Sequence, residues 1–162
     1  MSKKNTQTEN HKIVGVISDT HGWLRPAAIK ALKGADLIIH AGDVGKPDII
    51  EDLQAIAPVE TVRGNMDMGD WAHRLPETKL IEVGSVLLYV IHDVYKIDIK
   101  PAKAGVGAVI HGHTHKPSSI EDHNGVLFLN PGSATHPRFN NPASVALLHV
   151  NGKSLVAQFF KF

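Results

Sequence analysis

The first 63 residues contain three short apolar segments that are separated by two helical segments. The apolar segments, at 12–18, 36–40 and 59–63, are rich in valine, isoleucine or leucine and have the length of buried strands. The helical segments, at 26–33 and 47–57, each begin with a proline, which suits the first turn because its missing N–H has no helical partner there. This alternation predicts βαβ units, and therefore an α/β fold with neighbouring parallel strands.

The rest of the chain predicts hairpins more than helices. Strands at 79–83 and 86–91 flank the pair Gly84-Ser85, which is typical of a β-hairpin. A loop is predicted at 68–76 and a weak helix at 95–103. Further strands are predicted at 108–110, 119–121, 126–129, 144–150 and 154–160, and the last four of these are expected to form an antiparallel sheet. We therefore expect an α/β fold in which two mixed β-sheets pack as a sandwich flanked by helices.

Composition limits the classes of function. A chain of 162 residues with 43% hydrophobic content suits one domain with a sizeable core. The net charge of +1 does not favour binding to a nucleic-acid backbone or an anionic membrane. There are no cysteines, so any metal would have to be held by nitrogen and oxygen ligands.

The start of the chain and its apolar runs predict a cytoplasmic protein. Residues 1–10 are polar, and the next apolar run, 13–17, is too short for a signal peptide. The longest apolar run, 86–91, is too short to span a bilayer. We expect a disordered tail at 1–11, a single domain at 12–162, and no association with membranes.

Side chains that can bind a metal follow five of the predicted strands. Histidine is a frequent ligand of first-row transition metals, and three histidines from 111 to 115 lie at alternate positions, which share a face in an extended segment. Because ligands of open α/β sheets bind beyond the carboxyl ends of the strands, these side chains are expected to converge. The candidate residues are Asp19, His21, Asp43, Asn65, His92, His113 and His115.

Taken singly, several histidines and polar residues have simpler explanations. Asp19 alone would suit a helix cap or a turn, and Asn65 follows a glycine as in many turns. His40 and His111 are expected to be buried neighbours of the site that do not bind metal. For three side chains the sequence allows two roles, contact with a substrate or a packing or surface role: Trp71, Arg74 and Arg138.

The order of these motifs resembles that of the calcineurin-like metallophosphoesterase superfamily, and in particular its small bacterial and archaeal phosphodiesterase branch. The resemblance covers nearly the whole chain. The motifs that carry it are Asp19-Thr20-His21, Gly42-Asp43, Gly64-Asn65-Met66-Asp67, His92, Gly112-His113-Thr114-His115 and Asn130-Pro131-Gly132-Ser133.

The resemblance implies a dinuclear metal site in an enzyme that hydrolyses a small phosphodiester. It implies that Asp19, His21 and His115 bind one divalent ion. It implies that Asn65, His92 and His113 bind the other, and that Asp43 bridges both; Asp43, Asn65 and His92 are the expected catalytic residues. The ion is expected to be Mn²⁺, with Fe²⁺, Ni²⁺ or Zn²⁺ as alternatives. Two such ions about 3.5–4 Å apart can activate a bridging hydroxide for attack on phosphorus.

Two other functions remain open. One is a non-catalytic scaffold subunit with the same fold, as in the retromer-type coat protein that resembles this branch. Such proteins typically have eroded metal ligands, whereas all seven positions here carry metal-competent residues. The other is a nuclease, against which the near-neutral charge argues. The sequence leaves the oligomeric state open, and a homo-oligomer is one alternative.

The chain departs from the family pattern at two positions. Met66 stands where many members carry a histidine close to the phosphate, which leaves proton donation to the leaving group unassigned. Asp93 follows His92 where the family commonly has glycine.

Overall fold

The computed structural model describes residues 10–138 and 140–162 and consists of two five-stranded β-sheets packed face to face. The strands are β1 (His11–Ile17), β2 (Leu37–His40), β3 (Val59–Thr61), β4 (Thr78–Val83), β5 (Val86–Ile91), β6 (Val106–Ile110), β7 (Ser118–Glu121), β8 (Leu127–Asn130), β9 (Ser144–Asn151) and β10 (Ser154–Lys161). The helices are α1 (Pro26–Leu32), α2 (Pro47–Gln54) and α3 (Asp70–His73), with a 3₁₀ turn at Val94–Lys96.

Both sheets are mixed, as the sequence predicted. The first sheet has the order β10-β9-β1-β2-β3, with β1, β2 and β3 parallel to one another. The second sheet has the order β4-β5-β6-β8-β7, with β5, β6 and β8 parallel. The βαβ units predicted from the first 63 residues are therefore confirmed, and their carboxyl ends lie at one edge of the first sheet.

The prediction that the last four strands form one antiparallel sheet is wrong. Strands β7 and β8 belong to the second sheet, where β8 also pairs in parallel with β6, whereas β9 and β10 belong to the first sheet. The turn pairs Asn124-Gly125 and Asn151-Gly152 determine only the local β7–β8 and β9–β10 pairings. The pairing of β9 with β1 joins residues more than a hundred positions apart, and no local pattern encodes it.

Two smaller predictions also need correction. The predicted loop at 68–76 contains the short helix α3, and the predicted helix at 95–103 is reduced to the 3₁₀ turn at Val94–Lys96. Pro101 opposes a helix in the second segment because it cannot donate a backbone hydrogen bond.

The core lies in three layers that follow the alternation of side chains along the strands. In β2, Ile39 packs between the two sheets, whereas Ile38 faces α1 and α2. On the outer face of the second sheet, Tyr89 and Val109 are covered by the segment after β5 rather than by a long helix. Both faces of each sheet are therefore covered by other parts of the chain. The loops beyond the strand ends are where a site can form.

The described chain begins close to the predicted domain boundary. His11 already pairs with Asn151, so β1 starts one residue before position 12. The predicted disorder of 1–11 falls, for positions 1–9, outside the described residues. Among the described residues, no helix has the length and apolar character that crossing a bilayer requires.

Candidate metal centre

The loops after β1, β2, β3, β5 and β6 bring all seven candidate residues to one place at the edge of the sandwich. Two close contacts link the two sheets: Asp19 Oδ1 lies 3.1 Å from His115 Nε2, and Asp43 Oδ2 lies 3.3 Å from His92 Nε2. Side chains that are up to 96 positions apart in the sequence thus share one cluster, which we call the metal centre.

One half of the metal centre consists of Asp19, His21 and His115. Besides its contact with His115, Asp19 Oδ1 lies 3.8 Å from His21 Nε2. The two imidazole Nε2 atoms lie 3.4 Å apart. One carboxylate oxygen and two imidazole nitrogens therefore face a common point, as a metal site requires.

The other half consists of Asn65, His92 and His113. Asn65 Oδ1 lies 3.1 Å from both His92 Nε2 and His113 Nδ1. Asp43 Oδ2 lies between the halves, 3.3 Å from His92 Nε2 and 3.9 Å from His21 Nε2. Asp19 Oδ1 also approaches both halves, since it lies 3.9 Å from His92 Nε2. Asp43 thus lies between the two halves, and Asp19 approaches the second half from the first.

The donors present fit a divalent cation. Asp19 Oδ1 is buried and has no hydrogen-bond partner among the described residues, although it faces three imidazoles. A buried carboxylate oxygen without a donor is costly, and a bound cation removes that cost. Carboxylate, amide and imidazole donors together suit Mn²⁺, Fe²⁺, Ni²⁺ or Zn²⁺.

The backbone at the metal centre is held in an unusual conformation. Left-handed φ angles occur at five of the seven candidates, which are Asp19 (55°), His21 (46°), Asp43 (55°), His113 (68°) and His115 (59°). Residues with side chains rarely adopt this conformation, and it is concentrated at functional sites.

Close packing around the metal centre also requires glycine at Gly64 and Gly112. A Cβ at Gly64 would lie 2.1 Å from Asp43 Oδ1, and one at Gly112 would lie 2.0 Å from Ser18 Oγ.

Two of the imidazoles are oriented by backbone carbonyls. His92 Nδ1 donates to the carbonyl of Ala41 at 2.7 Å, and His115 Nδ1 donates to the carbonyl of His136. With the proton placed on Nδ1, the Nε2 lone pair of each ring faces the metal centre. Outer hydrogen bonds of this kind fix the tautomer and the orientation of metal-binding histidines.

A buried polar loop at 130–135 braces the metal centre from behind. Ser133 Oγ and Thr135 Oγ1 each donate to the carbonyl of Asp19 at 2.9 Å, and Asn130 Nδ2 donates to the carbonyl of Gly112 at 3.0 Å. Ser18 Oγ donates to Asp19 Oδ2 at 2.6 Å. Sequence reasoning noted residues 130–133 only as a motif and missed the roles of Ser18 and Thr135. Their hydroxyls gave no signal apart from their positions beside candidate motifs.

The electrostatics of the metal centre suit a cation. Burial opposes ionisation of Asp19, but the nearby imidazoles of His115 and His92 and the hydrogen bond from Ser18 outweigh it and lower its pKa. The pKa of Asp43 is lowered in the same way by His92. Burial also opposes protonation of His92, yet Asp43 and Asp19 raise its pKa. A metal ion needs the neutral imidazole, so metal binding competes with protonation of His92.

The other side chains considered in the sequence are not among the seven residues of the metal centre. This was expected for His40 and His111. His40 is fully buried, and His111 is buried with no hydrogen bond to its Nδ1 from the described residues. Trp71 packs against the core beside α2, which supports its packing interpretation. Arg74 and Arg138 are exposed.

A cleft of about 530 Å³ opens beside the Asn65 half of the metal centre. Its lining includes His92 and His113 from the centre, together with Arg63, Glu77 and Asp93. Arg63 and Glu77 form an ion pair at 2.6 Å. The cleft is large enough for a small organic substituent.

His40 gives the fold a dependence on pH that is separate from metal binding. Gly42 N–H donates to His40 Nδ1 at 3.1 Å, and His40 Nε2–H faces Thr20 Oγ1 at 2.9 Å, so the ring is neutral in the fold. Burial lowers the pKa of His40 from 6.5 to about 4. The unfolded chain therefore binds one more proton between these values, and stability falls as the pH drops below about 6.5.

We expect His40 to contribute about 2 kcal/mol to the loss of stability of the metal-free protein between about pH 7.5 and about pH 5. Urea unfolding at both pH values in the presence of a chelator measures the loss. The variant His40→Gln should reduce it by about this amount, whereas His123→Gln, which removes an exposed imidazole, should preserve it. An equal loss in His40→Gln and in the natural chain would contradict the prediction.

Comparison with known proteins relates this geometry to one superfamily. The sequence model of the calcineurin-like phosphoesterase superfamily domain matches residues 13–153. A probable metallophosphoesterase of Methanothermobacter thermautotrophicus is 36% identical over 163 aligned positions, which cover 92% of this chain and 92% of the relative. Phosphodiesterase YfcE of Escherichia coli is 28% identical over 175 positions, which cover 87% of this chain and 94% of YfcE.

The fold is also similar to solved structures with another name. The crystal structure of a single mutant of Vps29 from Entamoeba histolytica has a TM-score of 0.70 and 28% sequence identity. The match covers 93% of this chain and 99% of that one.

Proposed function

Because this chain belongs to the calcineurin-like phosphoesterase superfamily, we propose that it is a metal-dependent phosphodiesterase acting on a small phosphodiester. The observation that carries this proposal is the metal centre itself. Seven oxygen and imidazole donors converge there, and the two carboxylates lie between its halves. The name of the relative YfcE supports the choice of a diester.

In this proposal, Asp19, His21 and His115 would hold one divalent ion, Asn65, His92 and His113 would hold the second, and Asp43 would contribute to both. We favour Mn²⁺. Such ions would supply Lewis-acid chemistry, which lowers the pKa of a water so that hydroxide is available to attack phosphorus, and which offsets the charge that grows on the phosphoryl oxygens.

Hydrogen bonds within the chain orient the carboxylate of Asp43. The backbone N–H of Met66 donates to Asp43 Oδ1 at 2.8 Å, which leaves Oδ2 directed at the histidines. Asp67 accepts hydrogen bonds from the backbone N–H groups of Gly45 and Gly64, at 2.9 and 2.8 Å, and so ties the loops after β2 and β3 together. The bridging carboxylate is thereby preorganised, which reduces the reorganisation needed during reaction.

The cleft beside Asn65 and His113 is placed to receive one ester substituent of the substrate. Attack in line requires the leaving oxygen to lie opposite the attacking oxygen, so the leaving substituent needs open space on the side of phosphorus away from the nucleophile.

The similarity to Vps29 supports a second candidate, a non-catalytic scaffold that binds another protein. The observation that favours it is the match over 93% of this chain. A nuclease remains a third candidate, although the net charge of +1 offers little general attraction for nucleic acid. Turnover of a small phosphodiester separates the first candidate from the second.

We expect protein saturated with Mn²⁺ and then desalted to retain about two ions per chain, because the centre offers two sets of donors. Elemental analysis measures the content, and a chelator should remove the ions together with diesterase activity. Activity should return when Mn²⁺ is added back. A content below one ion per chain would rule out the two-metal proposal, and full activity in excess chelator would rule out any metal-dependent one.

A further inference from the structure

Two imidazoles come together on the outer face of the first sheet, away from the metal centre. His11 begins β1, and His149 lies near the end of β9, where the two strands pair in antiparallel fashion. Ile13 and Leu147 pack on the helical side of this sheet, so by alternation His11 and His149 share that side. Asp19 follows His11 by eight positions along an extended segment, which places these imidazoles roughly 25 Å from the metal centre.

The rings of His11 and His149, which we call the surface pair, present one nitrogen to each other. His11 Nε2 lies 3.1 Å from His149 Nδ1. The ring centroids are 5.3 Å apart and the ring planes differ by 22°, so the rings meet edge to edge through these nitrogens. Two protons in this gap would repel each other, and so would two lone pairs. The metal-free pair therefore holds one proton between its nitrogens.

Gln158 determines which nitrogen of His149 carries the lone pair. His149 Nε2 lies 3.2 Å from Gln158 Oε1, and because an amide oxygen can only accept, Nε2 carries the proton. The neutral ring then directs the lone pair of Nδ1 toward His11. A hydrogen bond to the far nitrogen orients many metal-binding histidines in this way. The His11 ring is exposed, so its proton can move from Nε2 to Nδ1 through water, which brings a second lone pair to the gap.

We propose that the surface pair is a second metal site, which takes one divalent ion of the borderline class, such as Zn²⁺, Ni²⁺ or Cu²⁺. An ion about 2.0–2.1 Å from each of two nitrogens 3.1 Å apart would have an angle of about 100° between its two bonds. This angle lies within the range of tetrahedral and square-planar sites. The exposed His11 ring can tilt to direct its lone pair at the ion, and water would complete the coordination.

The donors of the surface pair select a different ion from those of the metal centre. The pair contributes imidazoles, whereas the metal centre also contributes the carboxylates of Asp19 and Asp43. Affinity for nitrogen donors rises from Mn²⁺ to Ni²⁺ and Cu²⁺ and is also higher for Zn²⁺, so Mn²⁺ should load the centre without occupying the pair. An ion at the pair would join β1 to β9 across 138 positions of sequence and stabilise the folded chain.

A titration with Zn²⁺ tests the site one ring at a time. Long-range ¹H–¹⁵N spectra at about pH 8, where ordinary histidines are neutral, report each ring nitrogen separately, so zinc in the metal centre does not interfere. The rings are identified by the signals that disappear in His11→Gln and His149→Gln. We expect His11 Nε2 and His149 Nδ1 to shift together at one Zn²⁺ concentration, at which the exposed ring of His123 stays unchanged.

Two variants and a matched control show whether the imidazoles act as a chelating pair. In His11→Gln, the Zn²⁺ concentration that shifts His149 should rise at least about 100-fold, because the second donor no longer binds the same ion. His149→Gln should raise the concentration that shifts His11 by a similar factor. The control His123→Gln, which also removes an exposed imidazole, should leave the response of both rings unchanged.

A response of His149 at the same Zn²⁺ concentration in His11→Gln and in the natural chain would overturn the proposal. A shift of His123 at the concentration that shifts the surface pair would do so as well, since it would show that any exposed imidazole binds the ion equally. Both outcomes are independent of diester hydrolysis, so the surface site and the proposed function can each fail without the other.

Discussion

We expect Asp43→Ala to lower kcat/KM for a phosphodiester by about 10³-fold or more. Asp43 Oδ2 lies between the two halves of the metal centre, so in the proposed two-metal site its removal would weaken the binding of both ions. Metal ions acting as Lewis acids contribute several kcal/mol to such reactions, and each 1.36 kcal/mol corresponds to a factor of about ten in rate. Retained Mn²⁺ should fall from about two ions per chain to one or fewer.

Two variants separate this effect from loss of the fold. Asp43→Asn keeps an oxygen that can accept the hydrogen bond from Met66 N–H but removes the charge, and it should lose most of the activity while unfolding at a temperature close to that of the natural chain. His111→Ala alters a buried histidine outside the metal centre and should retain activity within about tenfold. Comparable losses in Asp43→Asn and His111→Ala, with both proteins folded, would show that the histidines from 111 to 115 are misassigned.

We expect the natural protein to hydrolyse aryl phosphodiesters with a higher kcat/KM than the matching monoesters. A basic leaving oxygen needs a proton, and a positioned general acid contributes about 10²–10⁴-fold. Met66 lies beside Asp43 with its side chain 57% exposed, and it has no proton to give. Asp67 does not replace it, because its carboxylate is buried and accepts two backbone hydrogen bonds.

The variant Met66→His should narrow the gap by raising monoester hydrolysis up to about 10²-fold, since an imidazole can donate a proton and attract the additional charge of a monoester. Met68→His is the control: it adds the same imidazole on the same loop at a side chain that is 70% exposed. The measurement is kcat/KM for matched aryl esters with Mn²⁺. A natural protein that prefers the monoester would contradict the argument from Met66.

The structure brings together the residues that the sequence grouped, while their roles in metal binding stay a prediction. Asp19, Asp43 and Asn65 follow successive strands of βαβ units, and parallel strands end at the same edge of a sheet by construction. His92 and His113 follow β5 and β6, which are also parallel. Parallel pairing thus groups the side chains within each sheet, whereas the meeting of the two groups depends on how the two sheets pack.

The sequence by itself determined the local elements and the chemical identity of the donors, because apolar periodicity, proline positions and turn pairs act over a few residues. Only the tertiary structure decided that β9 joins β1 and that β8 joins β6, since those pairings depend on which faces become buried together. It also decided the direction of two imidazoles, because the carbonyls of Ala41 and His136, which orient His92 and His115, come from other segments of the chain. The sequence shows which residues are histidines. The ring nitrogen that each presents to a metal depends on the hydrogen-bond partner that the fold provides for the other nitrogen.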